Sequence, residues 1–234
     1  MKKISLILLS VMAFLIILSS CAPADSNEEL DMIGANINIS ENDEVKLLNS
    51  NYSLEKALND NCLVYADREL QGEKDVRVGF VASAIAKENA SYRTTYFDSG
   101  KLTEYTDVIA GKDGFTFNVY KVGDLKTENT KSLEFACFKE VKLYTLSEGA
   151  ETYTKFYMLA KDKDTTYADY RAHLGAAYSS SEDNSANIPC YIVYSEEIAL
   201  TEEDRALVAL SKTKDGVLTP CMKDKAFVEV IYER

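Results

Sequence analysis

Basic residues, histidine and tryptophan are all scarce in this 234-residue chain. Lysine and arginine total 26 against 38 aspartate and glutamate residues, which gives a formal net charge of −12. A chain this acidic repels nucleic acid and anionic headgroups, so DNA and RNA binding are excluded as functions. The only histidine, His173, is a weak basis for a zinc site or a catalytic triad, and we expect it at the solvent edge of a helix.

Complete metal, nucleotide and catalytic motifs are absent as well. Asp162-x-Asp164-x-Thr166 begins like a calcium loop, but such a loop needs glycine at its sixth position and glutamate at its twelfth. Those positions hold Tyr167 and His173, so the segment is predicted to be a polar loop before a helix. We therefore expect no metal ion and no cofactor. A site built from carboxylates that meet only in the fold needs no local motif and stays open.

One long hydrophobic run is present, at the amino terminus. Lys2 and Lys3 precede an apolar stretch over residues 4–18, which is shorter than the roughly 20 residues of a membrane span. Its length and flanks are those of a secretion signal. The following Leu18-Ser19-Ser20-Cys21 resembles the lipobox of bacterial lipoproteins, an aliphatic residue and two small residues before the cysteine that receives diacylglycerol.

The resemblance implies an extracytoplasmic address and a membrane partner. Residues 1–20 would be the signal peptide, residues 21–39 a lipidated flexible tether that begins at Cys21, and residues 40–234 a single globular domain. Removal of residues 1–20 takes away two lysines and no acid, which leaves 24 basic against 38 acidic residues and a net charge of −14. Two or three acyl chains on Cys21 would anchor the protein to a bacterial membrane permanently.

Four further cysteines allow two alternatives: Cys62, Cys137, Cys190 and Cys221. An even number outside the cytoplasm permits two disulfides, with three connectivities. Buried free thiols are the other alternative, since cysteine packs like a small hydrophobic residue. No Cys-x-x-Cys pair occurs, which argues against a thioredoxin-type redox site and a zinc knuckle.

The hydrophobic periodicity predicts an α+β fold, with an antiparallel meander of about five to seven strands and three or four helices packed on it. Turn residues at 98–100 and 111–114 separate the clearest strands, and residues 123–131 are predicted to be a polar loop. Helices are expected to start at Ser40, Ser53, Thr166 and Thr201. The predicted strands span residues 62–70, 76–85, 91–97, 101–110, 115–122, 133–146, 152–160, 188–194 and 226–232.

Tyrosine-rich strands are the only feature with a functional implication. Tyr92, Tyr96, Tyr105 and Tyr120 are candidate contacts for carbohydrate, peptide or protein if they share an open sheet face. Strand propensity explains the same tyrosines without a ligand. The leading hypothesis is a non-enzymatic envelope protein that binds a small ligand or a protein partner. The alternatives are an extracytoplasmic hydrolase with converging carboxylates and a structural or inhibitory surface protein.

The lipobox resemblance makes a direct prediction for Cys21. Replacement Cys21→Ser removes the thiol that forms the thioether, so metabolic labelling of the protein by a fatty acid should be lost. Labelling followed by gel fluorography checks this, and Cys221→Ser is a control that should keep the label. Labelling that persists in Cys21→Ser would contradict the assignment.

Overall fold

The computed structural model describes residues 47–72, 75–123, 126–179, 188–213 and 216–233. All of them fall within one compact unit, Gly34–Arg234. The predicted signal peptide, Cys21, the tether and the helix start at Ser40 lie outside the described residues.

The described residues form four helices and eleven strands, which confirms the predicted α+β class. No helix among them has the length and apolar content needed to span a membrane. The helices are α1 (Leu54–Asn59), α2 (Val76–Ile85), α3 (Tyr167–Ser179) and α4 (Glu202–Ser211). The strands are β1 (Leu63–Ala66), β2 (Glu69–Gln71), β3 (Ala90–Asp98), β4 (Lys101–Gly111), β5 (Gly114–Val122), β6 (Thr127–Phe135), β7 (Cys137–Thr145), β8 (Thr152–Ala160), β9 (Cys190–Ala199), β10 (Thr219–Met222) and β11 (Lys225–Glu233).

The predicted antiparallel meander is present, and its consecutive strands are divided between two sheets. Sheet A has the order β2-β1-β3-β4-β5-β6, and sheet B has the order β10-β11-β7-β8-β9. Every pairing is antiparallel except that of β1 with β3. The chain passes from sheet A to sheet B at Ala136, whose N–H donates to the carbonyl of Ala160 at 3.1 Å.

The main core lies between the two sheets because alternate residues of each strand point to the same side. Phe117 of sheet A contacts Tyr191 of sheet B with ring centroids 4.4 Å apart, and Phe115 contacts Phe138 at 5.8 Å. Helix α2 contributes Phe80 to the same core, where its ring meets that of Tyr92 edge-on. The two sheets and α2 therefore share one aromatic core.

Smaller clusters cover the remaining parts of each sheet. On sheet A, Tyr52 and Ala57 of the α1 region pack over Val64 and Tyr105. On sheet B, Tyr167 of α3 contacts Phe227 of β11. Helix α4 packs on the carboxyl-terminal end of β7, where the hydroxyl of Tyr144 donates to Asp204 at 2.7 Å.

Three of the predicted helix starts are confirmed by their caps. The Ser53 hydroxyl accepts from the N–H of Lys56, and Thr201 and Asp204 form a full capping box. Thr166 and Asp169 exchange the same reciprocal hydrogen bonds at the start of α3. The hairpin turn at 111–114 is confirmed as well, with Gly111 paired to Gly114.

Several element predictions were wrong. Residues 76–85 form helix α2 rather than a strand, because Asp75 accepts from the N–H of Arg77 as an N-cap while Phe80 and Ala84 enter the core on one side. Residues 123–131 were predicted to be a loop, but most of them belong to β6, a polar strand at the edge of sheet A. The single strand predicted over 133–146 is divided at Ala136 between β6 and β7.

A charged pair is buried within sheet A. Arg93 of β3 donates to both carboxylate oxygens of Asp107 on β4, at 2.6 and 2.7 Å, and the two residues are only 8% and 2% exposed. The guanidinium also lies 4.7 Å from the ring centroid of Tyr105. Both charges are satisfied by each other, so removal of either one leaves an uncompensated buried charge.

This arrangement predicts a large loss of stability for Asp107→Ala. The substitution leaves the Arg93 guanidinium buried without its carboxylate, which should lower the free energy of unfolding by roughly 3–5 kcal/mol. Urea denaturation measures the effect. Glu128→Ala, which removes an acid from the exposed pair of Lys126 and Glu128, is the control and should leave the midpoint unchanged. Equal midpoints for the two variants would show that the buried pair does not stabilise the fold.

Candidate functional site

A cleft of about 540 Å³ opens at one end of sheet A. Two neighbouring hairpins contribute to it, through Asp67 and Arg68 in the β1–β2 turn and through Asp98 and Thr103 on either side of the β3–β4 turn. The lining residues are Tyr65, Asp67, Arg68, Tyr96, Phe97, Asp98 and Thr103. The cleft volume lies within the range of small-ligand sites, roughly 300–1,000 Å³.

Backbone strain is concentrated at these two turns. Asp67, Arg68 and Ser99 have φ values of 49°, 73° and 50°, in the left-handed region that residues with a side chain rarely occupy. Consecutive positive φ angles fit a two-residue turn of the type that matches strand twist, in which asparagine, aspartate and glycine are the usual residues. Arginine is unfavourable at the second position of such a turn. The requirements of the turn therefore do not explain why residue 68 is an arginine.

The two turns are fixed to each other by hydrogen bonds. The N–H of Ser99 donates to Oδ1 of Asp67 at 2.9 Å, and the N–H of Asp67 donates to the carbonyl of Phe97 at 3.0 Å. Asp98 accepts from the Ser99 hydroxyl through its Oδ1. Among the described residues, Oδ2 of Asp67 and Oδ2 of Asp98 have no hydrogen-bond partner, which leaves one carboxylate oxygen of each residue for a ligand.

Stacked tyrosine rings form one wall of the cleft. Tyr65 and Tyr96 are direct neighbours in the parallel pairing of β1 with β3, and their rings stack at 5.6 Å with an interplanar angle of 12°. Both rings are half-buried. Burial, with smaller effects from Tyr191, Tyr65 and Glu104, raises the pKa of Tyr96 to about 12. Its hydroxyl therefore stays protonated near neutral pH and can donate a hydrogen bond.

Arg77 lies close to this tyrosine wall. It interacts electrostatically with the phenols of Tyr65 and Tyr92, and its guanidinium lies 5.5 Å from the ring centroid of Tyr194. Asp75 fixes the guanidinium with two hydrogen bonds of 2.8 and 2.6 Å while also capping α2. The start of α2 is thereby held against the region where the two sheets meet.

The structure divides the predicted contact tyrosines between the two faces of sheet A. Tyr92 packs in the core between the sheets, whereas Tyr105 and Tyr120 stack on each other at 4.6 Å in the cluster under α1. These three side chains are at most 5% exposed, so they do not form an open contact face. Tyr96 is the only one of the four that lines the cleft.

The incomplete calcium loop encloses a lysine side chain. Lys139 of β7 is fully buried, and its Nζ donates to the carbonyl of Lys163 at 2.9 Å, the carbonyl of Thr165 at 2.5 Å and Oε2 of Glu229 at 3.1 Å. The loop carbonyls that could face a cation already accept from an ammonium group. No cluster of metal-ligating side chains occurs in the part of the chain that the structure describes. His173 lies half-buried on α3.

All four described cysteines are free thiols. Cys137 and Cys190 both face Ala160 across one strand each, which places them two strand spacings apart, about 9.5 Å. A disulfide requires Cα atoms within roughly 7 Å. Cys62 packs under α1 on sheet A, while the other three belong to the cluster under α3 on sheet B. Any scheme with two disulfides must pair Cys62 with one of these three cysteines. Because they lie in separate clusters on different sheets, the fold does not allow two disulfides.

A second recess, of about 630 Å³, lies beside Ala136, where the chain changes sheets. Its only aromatic lining residue is Phe135, which is 3% exposed. The recess has polar lining residues but no exposed aromatic ring for a ligand to pack on, so the tyrosine-walled cleft is the better candidate site.

Comparison of the chain with protein families, with curated proteins and with solved structures found no match.

The free thiols give a testable prediction. Alkylation of the denatured full-length protein without a reductant should modify all four cysteines at 62, 137, 190 and 221, and a prior reduction step should add no further mass. In the native protein Cys221 should react first because it is part-exposed, whereas the other three are buried. Burial raises the pKa of Cys190 to about 12, which keeps the unreactive thiol form. Mass spectrometry measures both steps, and two or more alkylations that require reductant would contradict the structure.

Proposed function

We propose that this chain is a lipid-anchored binding protein of a bacterial envelope, and that the Tyr65–Tyr96 cleft holds its ligand. The lipobox resemblance at Cys21 and the signal-like run before it support the anchor. The acidic composition and the lack of a catalytic motif favour binding over catalysis or nucleic-acid recognition.

The cleft is the observation that carries the binding hypothesis. A stacked tyrosine pair gives it a flat apolar wall, and Asp67, Asp98 and Thr103 place oxygen atoms on the rim. Arg68 adds a guanidinium, which donates hydrogen bonds and accepts none. An aromatic wall with a few oriented polar groups is the usual composition of a small-molecule site.

This combination suits a neutral saccharide better than an apolar or strongly charged ligand. The C–H face of a sugar ring is apolar and packs on an aromatic ring, while its hydroxyls donate to carboxylates and accept from arginine. A fully apolar ligand would leave the two open carboxylate oxygens desolvated without partners, at a cost in binding free energy. A strongly anionic ligand would meet Asp67 and Asp98 at the rim.

The proposal predicts binding of neutral oligosaccharides that depends on Tyr65. We expect the full-length protein in detergent to bind one or more members of a set of chito-, cello- and malto-oligosaccharides in isothermal titration calorimetry. Tyr65→Ala removes one ring of the wall and should weaken that binding roughly tenfold, since an aromatic contact contributes about 0.5–1.5 kcal/mol beyond its buried area.

The matched control is Tyr65→Phe, which keeps the ring and removes only the hydroxyl. This variant should retain most of the affinity if stacking is the main interaction. Absence of binding across the whole set, or equal affinity of the wild type and Tyr65→Ala, would contradict a saccharide site in this cleft. Release of reducing ends during the titration would instead favour the hydrolase alternative.

A further inference from the structure

The carboxyl-terminal half of β11 forms an apolar edge of sheet B. Strand β10 pairs with β11 only from Lys225 to Phe227, so no described strand pairs with the outer edge of residues 228–233. Val228, Val230 and Ile231 on this segment are 38%, 48% and 43% exposed. They lie within four consecutive residues and occupy both faces of the strand, which is typical of a site where another strand can add.

The other sheet edges are protected. Strand β2 is only three residues long, and β6 is largely polar, with Glu128 and Glu134 exposed. Strand β9 contacts α2 and carries two adjacent acids, Glu196 and Glu197. Short edge strands, charged side chains and covering elements are the usual devices that prevent edge pairing.

The acidic residues of β11 give its edge little protection against pairing, because Glu229 in the middle of this segment is bound inside the protein. Glu229 accepts from the N–H of Tyr167 at 2.7 Å and from Lys139 Nζ at 3.1 Å, so its carboxylate is turned toward α3 and paired. Only Glu233, at the end of the strand, remains as an exposed acid on this segment.

We propose that residues 228–232 of β11 pair antiparallel with the same segment of a second copy of this chain. The two-fold axis lies midway between Val230 and Val230 of the partner subunit, perpendicular to the sheet. The paired edges join the two five-stranded sheets into one continuous sheet. Closed two-fold dimers are the commonest symmetric assemblies, and the same surface serves both subunits.

The register follows from the extent of β10 and from the position of the exposed acid. A two-fold axis perpendicular to the sheet keeps each face of the sheet on the same side, so one residue must lie opposite its own copy at the axis. Centring the axis on Glu229 would leave only residues 228–230 able to pair, because Phe227 already pairs with Thr219 of β10. Centring it on Ile231 would place the exposed Glu233 opposite Glu229 of the partner subunit, and like charges directly opposite each other destabilise a sheet.

An axis centred on Val230 places no acid opposite another acid. It sets Val230 opposite Val230 of the partner subunit and Val228 opposite Tyr232 of the partner subunit. Glu229 then lies opposite Ile231 of the partner subunit. Pairs of β-branched residues with one another and with aromatic rings stabilise antiparallel strands. This self-complementarity is the reason to infer a second copy as the occupant rather than an unrelated strand.

Cysteine cross-linking of the full-length protein in detergent tests this register. Val230→Cys places two thiols at the axis, where Cα atoms of opposed residues lie roughly 4.5–5.5 Å apart, within the range of a disulfide. Under a mild oxidant, we expect the covalent dimer to form roughly tenfold faster than in either control variant, because pairing raises the effective concentration of the two thiols. Non-reducing gels over a time course measure the rates.

Two controls separate this dimer from random collision. Val78→Cys replaces a valine that is 51% exposed on α2, far along the chain from β11. Ile231→Cys lies on the proposed edge but is set diagonally from its counterpart, about 7–8 Å away, beyond easy disulfide formation. Equal rates for all three variants would overturn the proposal, and so would faster cross-linking of Ile231→Cys, which would place the axis elsewhere.

A second measurement does not depend on disulfide chemistry. Val230→Lys puts a charge at the centre of the edge and should shift the protein toward monomer in sedimentation velocity, whereas Val78→Lys should sediment like the wild type. A wild-type protein that remains monomeric at every concentration tested would overturn the proposal. Because neither experiment uses a saccharide, the dimer can fail while the ligand site stands, and the reverse also holds.

Discussion

The aromatic core between the two sheets is the constraint on which the rest of the structure depends. Strands β6 and β7 follow each other with only Ala136 between them, yet they belong to different sheets. Phe135 and Phe138 on either side of this point both enter the same core. At the neighbouring turn, a Cβ atom on Gly114 would lie 2.8 Å from the carbonyl oxygen of Phe135, so this position requires glycine. Close packing at this point fixes how the two sheets approach each other, and with it the position of α2 and the tyrosine wall.

Local sequence signals predicted the hairpins and capped helices well because their determinants lie within a few residues. Asp98-Ser99-Gly100 gave the β3–β4 turn, and Thr201 with Asp204 gave the start of α4. Helix α2 was missed because its β-branched and apolar residues resemble a buried strand, and its only clear helix signal is the Asp75 cap. Strand β6 was missed for the opposite reason, since a polar edge strand shows little hydrophobic alternation.

The cleft could not be predicted because its residues meet through a long-range parallel pairing. Tyr65 and Tyr96 are 31 positions apart, and nothing near either residue indicates that β1 lies beside β3. Asp67 and Arg68 do not form a glycine-containing turn, so the sequence showed no hairpin there. The sequence placed three further tyrosines, Tyr92, Tyr105 and Tyr120, on strands as candidate ligand contacts. The side of the sheet that each one faces depends on how the two sheets pack, which the sequence does not indicate.

Acidic charge and membrane attachment act in opposite directions on the proposed dimer. With residues 1–20 removed, each copy carries a net charge of −14, and two such surfaces repel each other at close range. At physiological salt, charges more than roughly 8 Å apart are screened from each other. The repulsion between the two copies therefore comes mainly from charged groups near the paired edges. The pairing of Glu229 with Lys139 removes the acid that would lie closest to the two-fold axis. The proposed lipid anchor would confine both copies to one surface and raise their effective concentration, which would favour association without any new contact.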